Sequence, residues 1–284
     1  MEAKIEHQRV CYQDLGVFTG MKHGHSMIIF GGTKGIGRML AGYYRKNGFQ
    51  VSVAARHPSS KDIKADVSDE KSVEAAFDRH FKRCGRGPDV VINCAALQGP
   101  IGNSWEIPVK KFEETLRINL LGGFIVARAA IKRMIAAGAG SIVMFSGGGA
   151  AYGRSHFNAY GASKTGILRM VETMAEELKE AGYPNIIINA VAPGGVKTRL
   201  TTDILKAGKI IGKKEREGAS LVFQNGGTPP QEIFDLVDLL IDRKAAHALT
   251  GRLIHVRDNY GRIVKKYGKK VPDDMGKLRR IGFK

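Results

Sequence analysis

Tyr160 and Lys164 lie four residues apart in Tyr-Gly-Ala-Ser-Lys, so a helix there stacks both side chains on one face. A free phenol titrates near pH 10. To exchange protons near neutrality its pKa must fall by roughly 3, worth about 4 kcal/mol. An ammonium about 4 Å away at an effective dielectric near 20 supplies about that much. Spacing and magnitude therefore agree on an acid–base tyrosine tuned by a lysine. A core tyrosine beside a surface lysine would show the same spacing.

A second constellation, Gly31-Gly32-Thr33-Lys34-Gly35-Ile36-Gly37, follows the apolar run Met27–Phe30 and opens an amphipathic stretch, Ile36–Lys46. Glycines between a strand and a helix let the backbone turn sharply and approach a pyrophosphate, whose charge the helix N-terminus meets. An NAD site of this kind places a carboxylate about 20 residues onward, against the ribose hydroxyls. This chain has Ala54-Ala55-Arg56 there. A missing acid and a guanidinium suit a 2′-phosphate, and Lys34 offers a second cation, so NADP is favoured over NAD. Asp66-Val67 is placed to hold the adenine edge, although Asp66 also suits a helix cap.

The elements that position these residues follow from periodicity. Strands are expected at Met27–Phe30, Gln50–Ala55, Asp89–Asn93, Ser141–Phe145, Asn185–Val191 and Arg252–Val256. Helices are expected at Ile36–Lys46, Ser68–Lys82 (capped near Asp66 or Ser68), Val109–Ala137, Tyr160–Ala181 and Pro230–Ile241. Buried strands alternating with amphipathic helices give crossover units and a parallel sheet covered on both faces. The expected fold class is α/β, one doubly wound domain of Rossmann type over 27–258, with a substrate lid at about 197–227. Residues 1–26 show no sustained period and read as a loosely ordered extension, and 259–284 as a basic tail.

Composition narrows the partners. In 284 residues, Lys and Arg number 45 against 27 Asp and Glu, a net charge of +18, and the hydrophobic share of 43% rules out a fully disordered chain. A positive field attracts polyanions: nucleic acid, anionic membrane or phosphorylated small molecules. From Arg262 onward the basic tail has only Tyr267 and Phe283 among its cations, which disfavours a nucleic-acid site. No apolar run reaches the roughly 20 residues of a membrane span. Cys11, Cys84 and Cys94 form no C-x-x-C pair and have no nearby histidine at ligand spacing, so no metal is expected. Together with a beginning that lacks an apolar leader, they point to a reducing, cytoplasmic setting.

Taken in order, Gly31-x-x-x-Gly35-x-Gly37, Asp66-Val67, Asn93-Cys94-Ala95-Ala96, Asn119, Ser146, Tyr160-x-x-x-Lys164 and Pro193-Gly194-x-Val196-x-Thr198 resemble the short-chain dehydrogenase/reductase family. The resemblance runs from about Met27 to Val256. It implies an NADP(H)-dependent oxidoreductase interconverting a carbonyl and a secondary alcohol. Tyr160 would be the proton donor or acceptor. Lys164 would lower its pKa and bind the nicotinamide ribose, Ser146 would orient the substrate oxygen, and Asn119 would hold a relay water. The cofactor would lie along Gly31, Thr33, Lys34, Gly35, Ile36 and Gly37, with Asp66 and Val67 at the adenine and Asn93 and Ala95 along the central ribose. Pro193, Gly194, Val196 and Thr198 would flank the nicotinamide and its carboxamide.

The chain departs from the family pattern at Phe30, Cys94 and Ala96, and at the serine. Ser146 lies one residue further from Tyr160 than is usual, and an ungapped register puts Gly147 at the serine site. The Gly147-Gly148-Gly149 run can absorb the shift, so Ser146 is the expected residue. Lid cations Lys197, Arg199, Lys206, Lys209, Lys213, Lys214 and Arg216 suit an anionic substrate, or else form a solvated loop. In relatives the helices corresponding to Val109–Ala137 and Tyr160–Ala181 make dimer and tetramer contacts, which implies a homodimer or homotetramer. The end Lys277–Ile281 is expected to fold onto a neighbouring surface. Two other functions fit the same fold: a non-catalytic dinucleotide sensor or scaffold, and an epimerase or dehydratase that recycles its cofactor.

Overall fold

A computed structural model describes residues 24–267 and 271–279. Seven strands form one parallel sheet: β1 (Ser26–Phe30), β2 (Gln50–Ala55), β3 (Ile63–Lys64), β4 (Val90–Asn93), β5 (Gly140–Phe145), β6 (Ile186–Ala192) and β7 (Leu253–His255), in the order β3-β2-β1-β4-β5-β6-β7. The helices are α1 (Gly35–Lys46), α2 (Glu70–Cys84), α3 (Val109–Leu116), α4 (Gly122–Ala137), α5 (Asn158–Glu180), α6 (Arg199–Lys206), α7 (Lys213–Asn225), α8 (Pro230–Ile241), α9 (Arg243–Ala246) and α10 (Tyr260–Tyr267). This is the expected α/β fold.

The central strands β1, β4, β5 and β6 are buried along their whole length because both faces are covered. Ile29, Val53, Ile92 and Val143 pack with Leu40 and Tyr44 of α1 and Leu236 and Leu240 of α8 on one face. Ile28, Val91, Ile142 and Ile188 pack with Phe77 of α2, Val126 and Ala130 of α4 and Val171 of α5 on the other. Strand order reverses between β1 and β4, where successive crossovers run to opposite edges. A crevice outside the carboxyl ends of the strands opens at such a switch point. Gly31, Asn93, Ser146 and Pro193 stand just there, at the ends of β1, β4, β5 and β6.

Some local expectations are corrected. Asp69, rather than Asp66 or Ser68, caps α2, accepting from the Lys71 N–H at 3.0 Å. Asp66 instead accepts from the N–H and hydroxyl of Ser68 at 2.9 and 2.8 Å, closing its own turn. The helix expected at Val109–Ala137 is interrupted by a π-turn at Arg117–Leu121. The two-residue β3 and the short α9 and α10 were too brief to leave a periodic signal.

Lys277 and Arg279 of the basic tail pair with acids of their own chain. Lys277 pairs with Glu176 of α5 at 3.2 Å and with Asp273 at 2.5 Å. The Leu278 N–H donates to Glu172 of α5 at 2.5 Å, and the Leu253 N–H of β7 donates to the Gly276 carbonyl at 2.8 Å. The buried Arg252 donates to the carbonyls of Val271, Pro272 and Met275. The tail therefore closes the β7 edge of the sheet. The extension at 1–23, with Cys11, and Lys269, Lys270, Arg280, Ile281 and Lys284 of the tail lie outside the described residues. Among the described residues no helix is long and apolar enough to cross a membrane, and no His, Cys, Asp and Glu group could hold a metal ion.

One buried charge ties α8 to α1. Asp238 accepts from the hydroxyls of Tyr43 at 2.6 Å and Tyr44 at 2.8 Å, and burial pushes its carboxyl up to about 6 against those two hydrogen bonds. A carboxyl that binds its proton more tightly in the folded chain than in the unfolded one loses stability as pH rises from about 4 through 6. Asp238→Asn should therefore raise the melting temperature by several degrees at pH 7, with a smaller gain at pH 5. A lower melting temperature at pH 7 would mean that the carboxylate–phenol hydrogen bonds outweigh the desolvation.

Candidate active site

The glycine turn is shaped for close approach of backbone to backbone. Gly31 has φ +74°, and a Cβ there would stand 2.6 Å from the Ala95 nitrogen, so no side chain fits between the ends of β1 and β4. A Cβ on Gly37 would meet the Gly31 carbonyl oxygen at 2.6 Å, which fixes α1 tightly against the turn. Lys34, the N-cap of α1, makes no side-chain cap bond, and the first turn of α1 carries no acid. Its N–H groups are thus left to an external anion, and these residues fit the pyrophosphate of a dinucleotide. The Asn93 side chain accepts from the Ala95 N–H at 3.1 Å and holds the facing loop. Lys34 and Arg56 are exposed beside this crevice. Asp66 is held below the usual carboxylate range chiefly by its bonds from Ser68, with Arg56 and Arg117 adding their charges against the effect of burial. Val67 fills the space a side chain on Gly122 would take.

Across the crevice, Gly194 has φ +71° in the turn after β6, and a Cβ there would meet the Thr228 hydroxyl at 2.5 Å. Thr198 opens α6 with its methyl 3.3 Å from where a Gly35 Cβ would stand, so Pro193–Thr198 lies against the glycine turn. Thr201 donates to the Val196 carbonyl at 2.6 Å and fixes that segment. Ile36 packs against the core beneath, and Thr33 is half-buried in the turn.

Tyr160 and Lys164 occupy the first two turns of α5, both buried. Lys164 donates to the Phe145 carbonyl at 2.8 Å, and its Nζ stands 5.6 Å from the Tyr160 ring centre. Burial pulls Lys164 down to about 8, with Cys94 opposing weakly. Burial also holds the Tyr160 phenol above its ordinary value, and the charge opposing that rise is Arg154. The sequence argument expected Lys164 to dominate. Desolvation dominates instead, because Tyr160 is packed into an apolar cluster with Phe157 and Ile211.

Residues 197–227, expected as a substrate lid, fold into α6, α7 and a 3-10 turn at Gly208–Ile210. Leu200, Ile204, Ala207 and Ile211, with Ile101, close over Phe157 and Tyr160 as one apolar cluster. Lys197, Arg199, Lys206, Lys209, Lys213 and Lys214 are exposed and Arg216 half-buried, so the cations chiefly face solvent.

Two further expected site residues make hydrogen bonds within the chain. Ser146 is buried, and its hydroxyl donates to the Lys164 carbonyl at 3.2 Å. The position facing the phenol is Gly147, where a Cβ would stand 3.1 Å from the Tyr160 hydroxyl oxygen. The glycine run does not absorb the shift. Asn119, in the π-turn, accepts from the Leu97 N–H at 2.8 Å and donates to the Leu97 carbonyl at 2.9 Å and the Ser163 hydroxyl at 3.0 Å. Ser163 in turn donates to the Tyr160 carbonyl at 2.7 Å. Both amide hydrogens of Asn119 are engaged, so its side chain braces the Leu97 loop against α5 rather than donating to a water. Sequence reasoning missed Ser163, whose only signal was its place inside the Tyr–Lys motif, and Arg154, which had none.

The sequence model of the short chain dehydrogenase family matches residues 25–208. The chain is 29% identical over 190 residues to the 2-dehydro-3-deoxy-L-rhamnonate dehydrogenase (NAD(+)) of a Sphingomonas species, covering 63% of this chain and 75% of that one. It is 27% identical over 243 residues to the 3-oxoacyl-acyl-carrier-protein reductase MabA of Mycobacterium bovis, covering 83% and 92%. A variant of actinorhodin polyketide ketoreductase, solved with NADPH, superposes with a TM-score of 0.72 at 26% identity, covering 85% of this chain and 99% of that one.

The hydrogen bond of Ser146 gives a direct test of the serine position. Ser146→Ala should cost about 1 kcal/mol of stability. Turnover should change by less than about threefold, against the roughly 10²–10³ lost where an oxyanion donor is removed. A loss on the larger scale would return Ser146 to the chemistry.

Proposed function

Because the chain belongs to the short-chain dehydrogenase family, oxidoreductases that act on CH–OH groups with NAD or NADP, we propose that it interconverts a carbonyl and a secondary alcohol with NADP(H). The observation that carries this reading is the buried Tyr160–Lys164 pair at the carboxyl ends of β4 and β5, across the switch point from an uncapped glycine turn. When bound, the nicotinamide dinucleotide supplies or accepts the hydride.

In the reductive direction Tyr160 gives its hydroxyl proton to the carbonyl oxygen, and in the oxidative direction it takes the proton from the alcohol. Lys164, anchored on the Phe145 carbonyl, keeps a positive charge under the ring and offers its remaining N–H donors to the ribose. Asn119 and Ser163 are positioning residues that fix the first turn of α5, and Gly147 leaves the space beside the phenol open to the substrate oxygen. Gly31, Gly35 and Gly37 cradle the pyrophosphate. Asp66 and Val67 flank the adenine, Asn93 and Ala95 the central ribose, and Val196 and Thr198 the carboxamide.

Arg56 and Lys34, exposed where an NAD site would carry an acid, support NADP over NAD. The apolar cluster over Tyr160 suits a hydrocarbon or acyl group at the reacting carbon, while the exposed lysines of α6 and α7 suit an anionic handle that stays outside. An acyl thioester on an acidic carrier has both parts, as the name of the mycobacterial relative suggests. Val109, Leu121 and Phe124, apolar and exposed on α3, the π-turn and α4, support assembly as a homodimer or homotetramer.

Two substitutions test the assignment. Tyr160→Phe should lower carbonyl-dependent NADPH oxidation by about 10²–10⁴-fold, with NADPH affinity within about threefold of the parent. Survival of turnover would remove Tyr160 from the chemistry. Arg56→Ala should weaken NADPH binding by about tenfold or more and NADH binding by less than about twofold, as measured by fluorescence titration. Equal losses would overturn the NADP preference.

A further inference from the structure

Arg154, in the connection between β5 and α5, has no part in the proposed proton transfer, yet it is built into the wall of the site. Its guanidinium carbon lies 4.3 Å from the ring centre of Phe157. Phe157 is wholly buried in the cluster that contains Tyr160 and Ile211. Its Nε and Nη2 reach the two oxygens of Glu215 at 3.3 and 2.5 Å, a two-point bond across to the first turn of α7. The side chains are 14% and 24% exposed, so the pair is largely out of water. Gly149 lies beside both residues: a Cβ there would be in ordinary contact with Arg154 Cδ at 3.7 Å and Tyr160 Cδ1 at 3.8 Å.

We propose that the Arg154–Glu215 pair is a specificity element of the chamber over Tyr160, closing the lid as a self-neutralised clasp and confining the reacting end of the substrate to an uncharged group. This rests on the oxidoreductase reading above and names the substrate class that its chamber accepts. The other groups that close over the phenol, Ile101, Leu200, Ile204, Ala207 and Ile211, are apolar, and Lys206, Lys209, Lys213 and Lys214 are exposed. With Arg154 satisfied by Glu215, a carboxylate brought beside Tyr160 would either displace Glu215 or rely on Lys164 alone, whose Nζ stands 5.6 Å from the ring centre and already donates to the Phe145 carbonyl. An alkyl, acyl or ester group needs no such partner. Glu215 is therefore the residue that masks Arg154.

Removing the charge of Glu215 while keeping Arg154 should convert the chamber into an anion site. The test uses the full-length chain and two probes of nearly equal shape, benzoate and benzamide, measured by calorimetric titration. The parent should bind benzamide at least as well as benzoate. Glu215→Gln should bind benzoate at least about tenfold tighter than the parent does, with benzamide within about twofold, as expected for a charge-assisted bond to an unmasked guanidinium. Arg154→Gln combined with Glu215→Gln should abolish that gain. Glu215→Ser is the second variant, since a glutamine oxygen can itself accept from Arg154. A parent that prefers benzoate overturns the proposal, as does benzoate affinity in Glu215→Gln and Glu215→Ser that is unchanged or too weak to measure.

A second arm follows NADPH oxidation with ethyl benzoylformate and with benzoylformate. The ester-to-acid preference should fall by about tenfold or more in Glu215→Gln. Turnover with an unchanged preference sinks the clasp and leaves the oxidoreductase reading intact. A benzoate gain without turnover of either ketone, or of any other carbonyl tried, supports the clasp and sinks that reading.

Discussion

A phenol and an ammonium held out of water within one helix are the constraint around which this molecule is arranged. Burial opposes both charged forms, pushing Tyr160 up and Lys164 down. Such a pair is tolerable only if its remaining hydrogen bonds are made. The Phe145 carbonyl at the end of β5 takes one donor of Lys164. The first turn of α5 is fixed through Ser163 and Asn119 to the loop after β4. The π-turn that carries Asn119, the end of β5 and the start of α5 are therefore one connected support.

The sheet supplies the second half of the arrangement. Parallel strands bring all their carboxyl ends to one edge, and the reversal between β1 and β4 leaves a crevice there without any side chain having to make it. Gly31 lets the ends of β1 and β4 meet, and Gly37 lets α1 start directly above them. The Pro193–Thr198 segment crosses to touch the same turn at Gly35 and then becomes the lid. The crevice and the apolar cluster around Tyr160 thus meet at one strand edge, joined by a continuous piece of chain.

Electrostatics is distributed unevenly over this frame. A net charge of +18 resides mostly on exposed side chains, including those of the lid, and in the described tail it is offset locally by Glu172, Glu176 and Asp273. Within the site the charges are few: Arg154 is paired with Glu215, and Lys164 donates to a backbone carbonyl. Counting lid lysines therefore says more about what approaches the molecule than about what fits beside the phenol.

The fold was legible in the sequence because it is written in repeated, local signals. Apolar runs of strand length, amphipathic stretches between them and glycines at their joints fix a parallel sheet, and Tyr160-x-x-x-Lys164 fixes its own geometry once a helix is granted. Which atoms meet between segments was not legible. Whether Ser146 or Gly147 faces the phenol depends on where β5 ends relative to α5, a matter of one residue's rotation. Whether Lys164 or plain burial governs the phenol depends on a lid folded from residues 40 to 50 positions away. Arg154 and Glu215 are 61 residues apart and share no pattern, and only the packing of α7 over the β5–α5 connection makes them partners.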